Sequence, residues 1–164
     1  MDDLGISVKR AARRSRGGSD AAEPLSVGPA LVRTGTLLGA IYETHAREVG
    51  LTPQQARLLF VVVEQPANML GLGSAVRLSK STMTSLVDRM QELGLLERTP
   101  DPSDRRRLLV SATQRGIQVS KEFERGMRRS ITRLTDQLNE VERTALARIL
   151  SVLLAEGDGL LRSE

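Results

Sequence analysis

The clearest hydrophobic pattern lies in the middle of the chain. Four apolar residues follow the i, i+3, i+4, i+7 spacing of one helix face: Met83, Leu86, Val87 and Met90. Ser79 can cap the start of this helix, and Gly94 can close its end. Short polar or basic side chains occupy the opposite side and its flanks: Ser81, Thr82, Thr84, Ser85 and Arg89. One face therefore packs and the other is polar and basic, a division that a helix in the major groove of DNA requires.

A second helix signal precedes this one. Thr52 can cap, Pro53 suits the first helical position, and Gln55 completes a capping box. The pattern predicts a buried face formed by Ala56, Leu59, Phe60 and Val63. Pro66 ends this helix, and Asn68 can cap a short helix through Val76. The short helix and the one after Ser79 would be joined by a tight turn.

A two-stranded ribbon is predicted after Gly94. Residues Leu95 to Thr99 favour a strand, and the Pro/Asp/Ser cluster from Pro100 to Ser103 favours a turn. A second strand is expected from Arg107 to Ala112. The ribbon would carry a basic tip, and a helix pair followed by a basic hairpin is typical of DNA-binding proteins.

Long helices are predicted on either side of this unit. Pro24 opens the first and Gly50 stops it, with an apolar face formed by Leu31, Leu38, Ile41, Tyr42, His45 and Val49. Thr113 caps the second. Asn139 starts the last through a capping box, and Gly157 with Gly159 is expected to end it. These helices are more apolar than a small DNA-binding core needs, so the pattern favours a twofold homodimer.

Composition narrows the function further. Of the 164 residues, 40% are hydrophobic but only 2% aromatic, which predicts a folded protein with an aliphatic core. The net charge of +4 favours a polyanionic partner. The chain has no Cys and a single His, so thiolate chemistry, disulfides and histidine-rich metal sites are excluded. The longest apolar run, from Leu58 to Val63, is too short to cross a bilayer, and no secretory signal is evident. A cytoplasmic location is expected.

Residues 1 to 24 are polar, Gly/Ser/Ala-rich and basic. We interpret them as a flexible tail. Two roles remain open, an arm that adds contacts to DNA phosphates and a solvated tail with no role.

The order of elements and two motifs resemble the MarR family of winged-helix regulators. The first motif runs from Leu72 to Thr84, continues through Asp88-Arg89-Met90, and ends in Gly94-Leu95-Leu96-Glu97-Arg98. It resembles the family's helix pair and the strand that enters the wing. The second, Asp104-Arg105-Arg106-Arg107 through Thr113 and Gly116, resembles the wing signature. Ser85 stands where many members place Arg, so base reading would rest on fewer long side chains.

The resemblance implies a mostly α fold with a small β-hairpin wing. Residues 51–113 would form a winged helix-turn-helix DNA-binding domain, and residues 25–50 and 114–164 a helical dimerisation region. It implies a homodimeric transcriptional regulator, often a repressor, that is sometimes relieved by a small, commonly phenolic ligand. No cofactor is implied.

Candidate DNA contacts follow from the helix pattern and the motifs. Ser81, Thr82, Thr84, Ser85 and Arg89 would face the groove, and Arg105, Arg106 and Arg107 would stand on the wing, where Arg suits a narrow minor groove. Asp104 would hold Arg106 in a fixed pose. The remaining cations, Arg77, Lys80 and Arg98, are expected to contact the DNA backbone.

Ligand candidates lie where the family has its pockets, between the dimer helices and the DNA-reading lobe. They are Tyr42, His45 and Arg57, and the alternative is that they are ordinary core or interface residues.

Two other functions compete with a sequence-specific regulator. The basic tail and wing could also serve a non-specific or architectural DNA-binding protein. An enzyme finds little support, because the lone His has no evident triad partner and no metal-ligand spacing is present. Gly71-Leu-Gly is too short for a dinucleotide-binding fingerprint.

Overall fold

The computed structural model describes residues 25–76, 78–101 and 108–160. Over these residues the chain forms six helices and two strands. In order they are α1 Val27–Glu48, α2 Pro53–Glu64, α3 Met69–Val76, α4 Lys80–Glu92, β1 Leu96–Pro100, β2 Leu108–Ala112, α5 Gln114–Thr135 and α6 Glu140–Leu160. The mostly helical fold with one small hairpin is the one predicted. We refer to α2, α3, α4, β1 and β2 as the reading lobe.

Local hydrogen bonds fix the helix starts as the sequence predicts. Thr52 and Gln55 form the capping box of α2, with Thr52 N donating to Gln55 Oε1 over 2.8 Å. The N-cap hydroxyls of Ser79 and Thr113 accept from backbone N–H groups three residues later. Asn139 caps α6 in the same way, its Oδ1 accepting from Glu142 N over 3.0 Å. These signals span at most four residues, so they are readable without knowledge of the fold.

Two glycines end helices, and two predicted helix limits were wrong. Gly50 and Gly94 follow α1 and α4 with φ of 73° and 69°, the left-handed conformation that favours glycine. However, α1 begins at Val27, and α6 continues through Gly157 to Leu160. A glycine within a helix costs only about 1 kcal/mol, so it does not by itself end one.

The hydrophobic core lies mainly in the reading lobe. Its fully buried large side chains include Leu58, Leu59, Val62, Leu72, Met83, Val87, Met90 and Val110. The predicted face of α2 was partly wrong, because Phe60 is 39% exposed whereas Leu58 and Val62 are buried. Residues 58–63 are all apolar, so periodicity cannot select the buried side, and packing of α2 against its neighbours does so.

The hairpin is antiparallel and joined to the rest of the lobe. Leu96 pairs with Ala112 and Pro100 with Leu108, so the first strand lies one residue later than predicted. Ala67, just before α3, forms an isolated bridge with Val110, in which Val110 N donates to Ala67 O over 2.9 Å. This bridge was not predicted, and it fixes the base of the hairpin against the α2–α3 connection.

The long helix α5 packs against α1 and α2 and joins the lobe to the rest of the chain. The rings of Tyr42 and Phe123 meet edge to face with centroids 4.9 Å apart. A Cβ at position 116 would clash with the backbone carbonyl of Leu95, so Gly116 allows α5 to pack closely there.

By contrast, no described side chain of α6 is buried. Within the described residues, no helix combines the length and the apolar character needed to cross a membrane.

Candidate nucleic-acid interface

Helix α4 divides into two faces as predicted. Met83, Val87 and Met90 are each 0% exposed and hold the helix against the lobe. The opposite face is solvent-exposed and carries Ser81, Thr82, Thr84, Ser85 and Arg89. Since the buried residues fix the rotation of the helix, the structure brings these five predicted side chains together on one accessible surface.

Hydroxyl groups on this face are already ordered by local bonds. Thr84 Oγ1 donates to Lys80 O over 2.9 Å, and Ser85 Oγ donates to Ser81 O over 3.3 Å. A hydroxyl whose proton is used in this way still has lone pairs to accept another bond. In this arrangement Thr84 and Ser85 are suited to accept from amino groups of bases or from ordered water.

The start of α4 holds a second hydroxyl cluster. Ser79 Oγ lies 3.1 Å from Ser81 Oγ and 2.9 Å from Thr82 Oγ1. Next to it, Lys80 is exposed at the first position of the helix. A helix N-terminus with exposed hydroxyls and a cation suits a phosphate group, because its first N–H groups and its dipole also attract anions.

Arg89 is held by a weak ion pair. Its Nη1 lies 2.8 Å from Glu92 Oε2, and both side chains are more than half exposed, at 61% and 65%. Such an exposed pair contributes at most about 1 kcal/mol. The guanidinium can therefore leave Glu92 for a guanine edge or a phosphate at small cost.

Arg98 connects the hairpin to α4. Its Nη2 donates to Asp88 Oδ1 over 2.6 Å, which joins β1 to the helix that carries the polar face. Asp88 was assigned no role from the sequence, because its pairing with Arg98 depends on how β1 packs against α4. The pair offsets the negative charge of Asp88 and leaves the other guanidinium N–H groups for a phosphate.

Five of the predicted DNA contacts lie outside the described residues. They are Arg77, Asp104, Arg105, Arg106 and Arg107, and the predicted tail 1–24 lies outside them as well. Pro100 and Leu108 pair across the hairpin, so residues 101–107 connect the two strands of the wing.

A cavity of about 690 Å³ lies between α1, α2 and α5 and is mostly apolar. Tyr42 and Arg57 line it together with Leu38, Met127 and Ile131. Burial raises the pKa of the Tyr42 phenol above its ordinary value, and the nearby Arg57 cation partly offsets this. The structure thus brings two of the three predicted ligand residues together, whereas His45 does not line this cavity.

His45 instead lies between α1 and α5, where it is 9% exposed. Its Nδ1 is 2.7 Å from Glu48 Oε2 and its Nε2 is 2.8 Å from Ser130 Oγ. This Glu–His–Ser arrangement was not evident from the sequence, since Ser130 is 85 residues away from His45. The geometry does not support catalysis, because Ser130 lies within α5, where backbone N–H groups are engaged in the helix and cannot form an oxyanion hole.

Residues 49–107 match the sequence profile of the MarR family. The HTH-type transcriptional repressor NicR of Pseudomonas putida is 25% identical over 130 residues, which cover 74% of this chain and 82% of that protein.

Two solved structures are similar over most of their length. Rv1404 from Mycobacterium tuberculosis is 30% identical with a TM-score of 0.71, covering 80% of this chain and 92% of that one. CouR from Rhodococcus jostii RHA1, solved bound to p-coumaroyl-CoA, is 26% identical with a TM-score of 0.65, covering 77% and 90%. The likeness extends beyond the reading lobe to the long flanking helices.

Proposed function

The chain belongs to the MarR family of transcriptional regulators, and we propose that it represses transcription by binding a near-palindromic operator as a homodimer. It is a DNA-binding regulator and not an enzyme. The observation that carries the proposal is helix α4, whose apolar face is fully buried while its polar face is ordered and accessible. Repression is proposed by likeness to NicR, which is named a repressor.

Within each subunit α4 would enter the major groove. Ser81, Thr82, Thr84, Ser85 and Arg89 would contact base edges and phosphates, since they are the accessible side chains of that face. Lys80 and Arg98, with Arg77 by its sequence position, would contact the backbone. Removing one such phosphate contact should lower the salt slope of binding by about one unit.

The wing would supply the minor-groove contacts. Its hairpin base is fixed by pairing of β1 with β2, by the Ala67–Val110 bridge and by Arg98. The connecting segment contributes Arg105, Arg106 and Arg107, and Asp104 is proposed to orient Arg106. Arginine suits this position because a narrow minor groove has enhanced negative potential.

The helices outside the reading lobe would form the dimer. Exposed apolar side chains are concentrated there, including Leu31, Val32, Leu37 and Leu38 of α1, Ile131 and Leu134 of α5, and Leu146, Ile149, Leu150 and Leu153 of α6. Large apolar side chains left exposed in this number are typical of an interface. Residues 25–50 and 114–164 are thus the proposed dimerisation region, and residues 51–113 the proposed DNA-binding domain.

A small effector is proposed for the cavity beside Tyr42 and Arg57. The apolar walls suit an aromatic ring, the phenol can donate a hydrogen bond, and the guanidinium favours an anionic group. CouR was solved with p-coumaroyl-CoA, an aromatic and anionic molecule, which supports this chemical class.

The test is a fluorescence-anisotropy titration with the DNA upstream of the protein's own gene and with a scrambled duplex at two salt concentrations. We expect a preference of at least about 1,000-fold for the upstream DNA. Equal, steeply salt-dependent binding to both duplexes would favour the architectural alternative.

The wing is tested by substitution. Arg106→Ala should lose most specific binding, whereas Arg148→Ala on α6, with the same charge change, should not. Unchanged operator affinity of Arg106→Ala at moderate salt would contradict the proposed role of the wing.

A further inference from the structure

His45 joins α1 to α5 at a point where a glycine of α5 faces the imidazole ring. The ring is buried, and each of its nitrogens has a hydrogen-bond partner, Glu48 on its own helix and Ser130 on α5. Among the described residues, no buried side-chain nitrogen or oxygen lacks a partner, so the hydrogen-bonding capacity of the His45 ring is fully used. A buried hydrogen bond between two helices restricts them to one relative position more strongly than apolar side chains do, because it requires a particular distance and direction.

The approach of the helices depends on a glycine opposite the ring. A Cβ added to Gly126 would lie 2.6 Å from His45 Nδ1 and 3.0 Å from its Cγ. Both distances are shorter than ordinary van der Waals contact, so a side chain at position 126 would require the ring or the helix to shift. Gly126 and His45 therefore form one built contact, in which the ring occupies the space that the missing side chain leaves.

This contact lies between the reading lobe and the apolar surface proposed for the dimer. Just beyond His45, α1 ends at Glu48 and Gly50 follows it, and Leu51 N donates to Ala46 O over 2.8 Å before α2 begins. The start of α5 is likewise held to the lobe, since Thr113 N donates to Leu95 O over 3.0 Å. The other parts of the two helices carry exposed apolar residues, such as Leu31 on α1 and Leu134 on α5.

We propose that His45 is a positioning residue whose bond to Ser130 sets how far apart the two DNA-reading helices of the dimer stand. A change in the packing of α1 on α5 would move each reading lobe relative to the dimer surface, and hence relative to its copy. The bond would thereby determine which half-site spacing the protein prefers. This inference rests on the proposed function as a homodimeric operator-binding protein.

Two substitutions separate the two bonds of the ring. The amide of His45→Gln reaches about as far as Nε2 and can keep the bond to Ser130. The shorter amide of His45→Asn corresponds to Nδ1 and can keep only the bond to Glu48. Ser130→Ala removes the interhelical bond without changing the ring, and Glu48→Gln keeps an acceptor for Nδ1.

The experiment uses the full chain and an operator series in which the spacer between half-sites is one base pair shorter, unchanged or one longer. Each step moves a half-site by about 3.4 Å along the duplex and rotates it by about a tenth of a turn. We expect the natural protein, His45→Gln and Glu48→Gln to discriminate sharply between spacings. For His45→Asn and Ser130→Ala, the ratio of affinities between spacings should fall by about two- to thirtyfold.

A purely structural role would give a different result, because a loss of stability lowers the active fraction equally for every spacer and leaves the ratios unchanged. Unchanged ratios in Ser130→Ala and in a folded His45→Asn, as judged by circular dichroism, would overturn the inference. If the natural protein itself binds no operator specifically, the proposed function fails instead. Should His45→Asn not fold, Ser130→Ala alone decides the matter.

Discussion

At the scale of single residues, Tyr42 offers a direct probe of the cavity. It is the only tyrosine, and the chain has no tryptophan, so the ultraviolet absorbance of phenolate reports this side chain alone. Burial raises its pKa, and the Arg57 cation lowers it by a smaller amount. The folded protein should therefore titrate at higher pH than the denatured chain.

Replacing Arg57 by Gln should raise the midpoint of the Tyr42 titration further, because the cation that favours phenolate is removed. The raised pKa of Tyr42 also makes the stability of the folded protein depend on pH. A raised pKa in the folded state means that stability is fully present below the pKa of the unfolded chain and is lost as pH rises through that of the folded state. The measurements are an absorbance titration and urea unfolding at alkaline pH. Coincident midpoints for folded and denatured protein would contradict the burial of Tyr42.

Residue pairs also mark where sequence reasoning ends. The bond between Arg98 and Asp88 and the bond between His45 and Ser130 join positions ten and 85 residues apart. No local pattern encodes these pairs, because each depends on how whole elements pack. Asp88 and Ser130 were therefore assigned no role from sequence, and His45 was assigned to a pocket that it does not line.

At the scale of elements, α4 combines a structural and a recognition face, and substitutions should separate the two. Met83→Ala removes a fully buried side chain and should lower the free energy of unfolding by about 2–5 kcal/mol. Ser85→Ala changes an exposed residue of the opposite face and should alter stability by no more than about 0.5 kcal/mol.

DNA binding should respond in the opposite way to stability, with the exposed residue mattering more than the buried one. Ser85→Ala should weaken specific binding, and folded Met83→Ala should keep it. Urea unfolding and anisotropy titration under conditions where both variants are folded give the two quantities. A stable Ser85→Ala variant with unchanged operator affinity would remove Ser85 from the reading face.

The starts and faces of some helices could be predicted from sequence, whereas others depend on how the elements pack together. The caps at Thr52, Ser79 and Thr113 and the faces of α4 depend on spacings within one or two helical turns, and these predictions were confirmed. In α2 the apolar run leaves the buried side undetermined, so Phe60 was wrongly placed in the core. The Ala67–Val110 bridge joins positions 43 residues apart and carries no sequence signal.

At the scale of the whole molecule, α6 exposes a row of large apolar side chains in the single subunit. Leu146, Ile149, Leu150 and Leu153 follow one another at i, i+3, i+4 and i+7, and each is 36–46% exposed. This spacing forms a continuous helical stripe. A stripe of large aliphatic residues facing water is unfavourable for a single subunit, and a twofold pair of subunits would cover it.

A charge placed on this stripe should therefore separate the proposed dimer. Leu150→Glu would bury an unpaired carboxylate in the interface, which is strongly unfavourable. Ser151→Glu adds the same charge one residue further, off the stripe at an exposed position, and is the matched control. Sedimentation equilibrium should give the mass of one 17.9 kDa chain for the first variant and twice that mass for the second.

DNA binding should follow the assembly state. A dimer engages both half-sites at once, so the second contact forms at high effective concentration, and a monomer loses this advantage. Leu150→Glu should therefore bind the full operator about as weakly as a single half-site, while Ser151→Glu keeps the preference for the full operator. If Leu150→Glu sediments as a dimer over the same concentrations as the natural protein, then α6 does not form the interface, and the exposed apolar residues of α1 and α5 would have to form it instead.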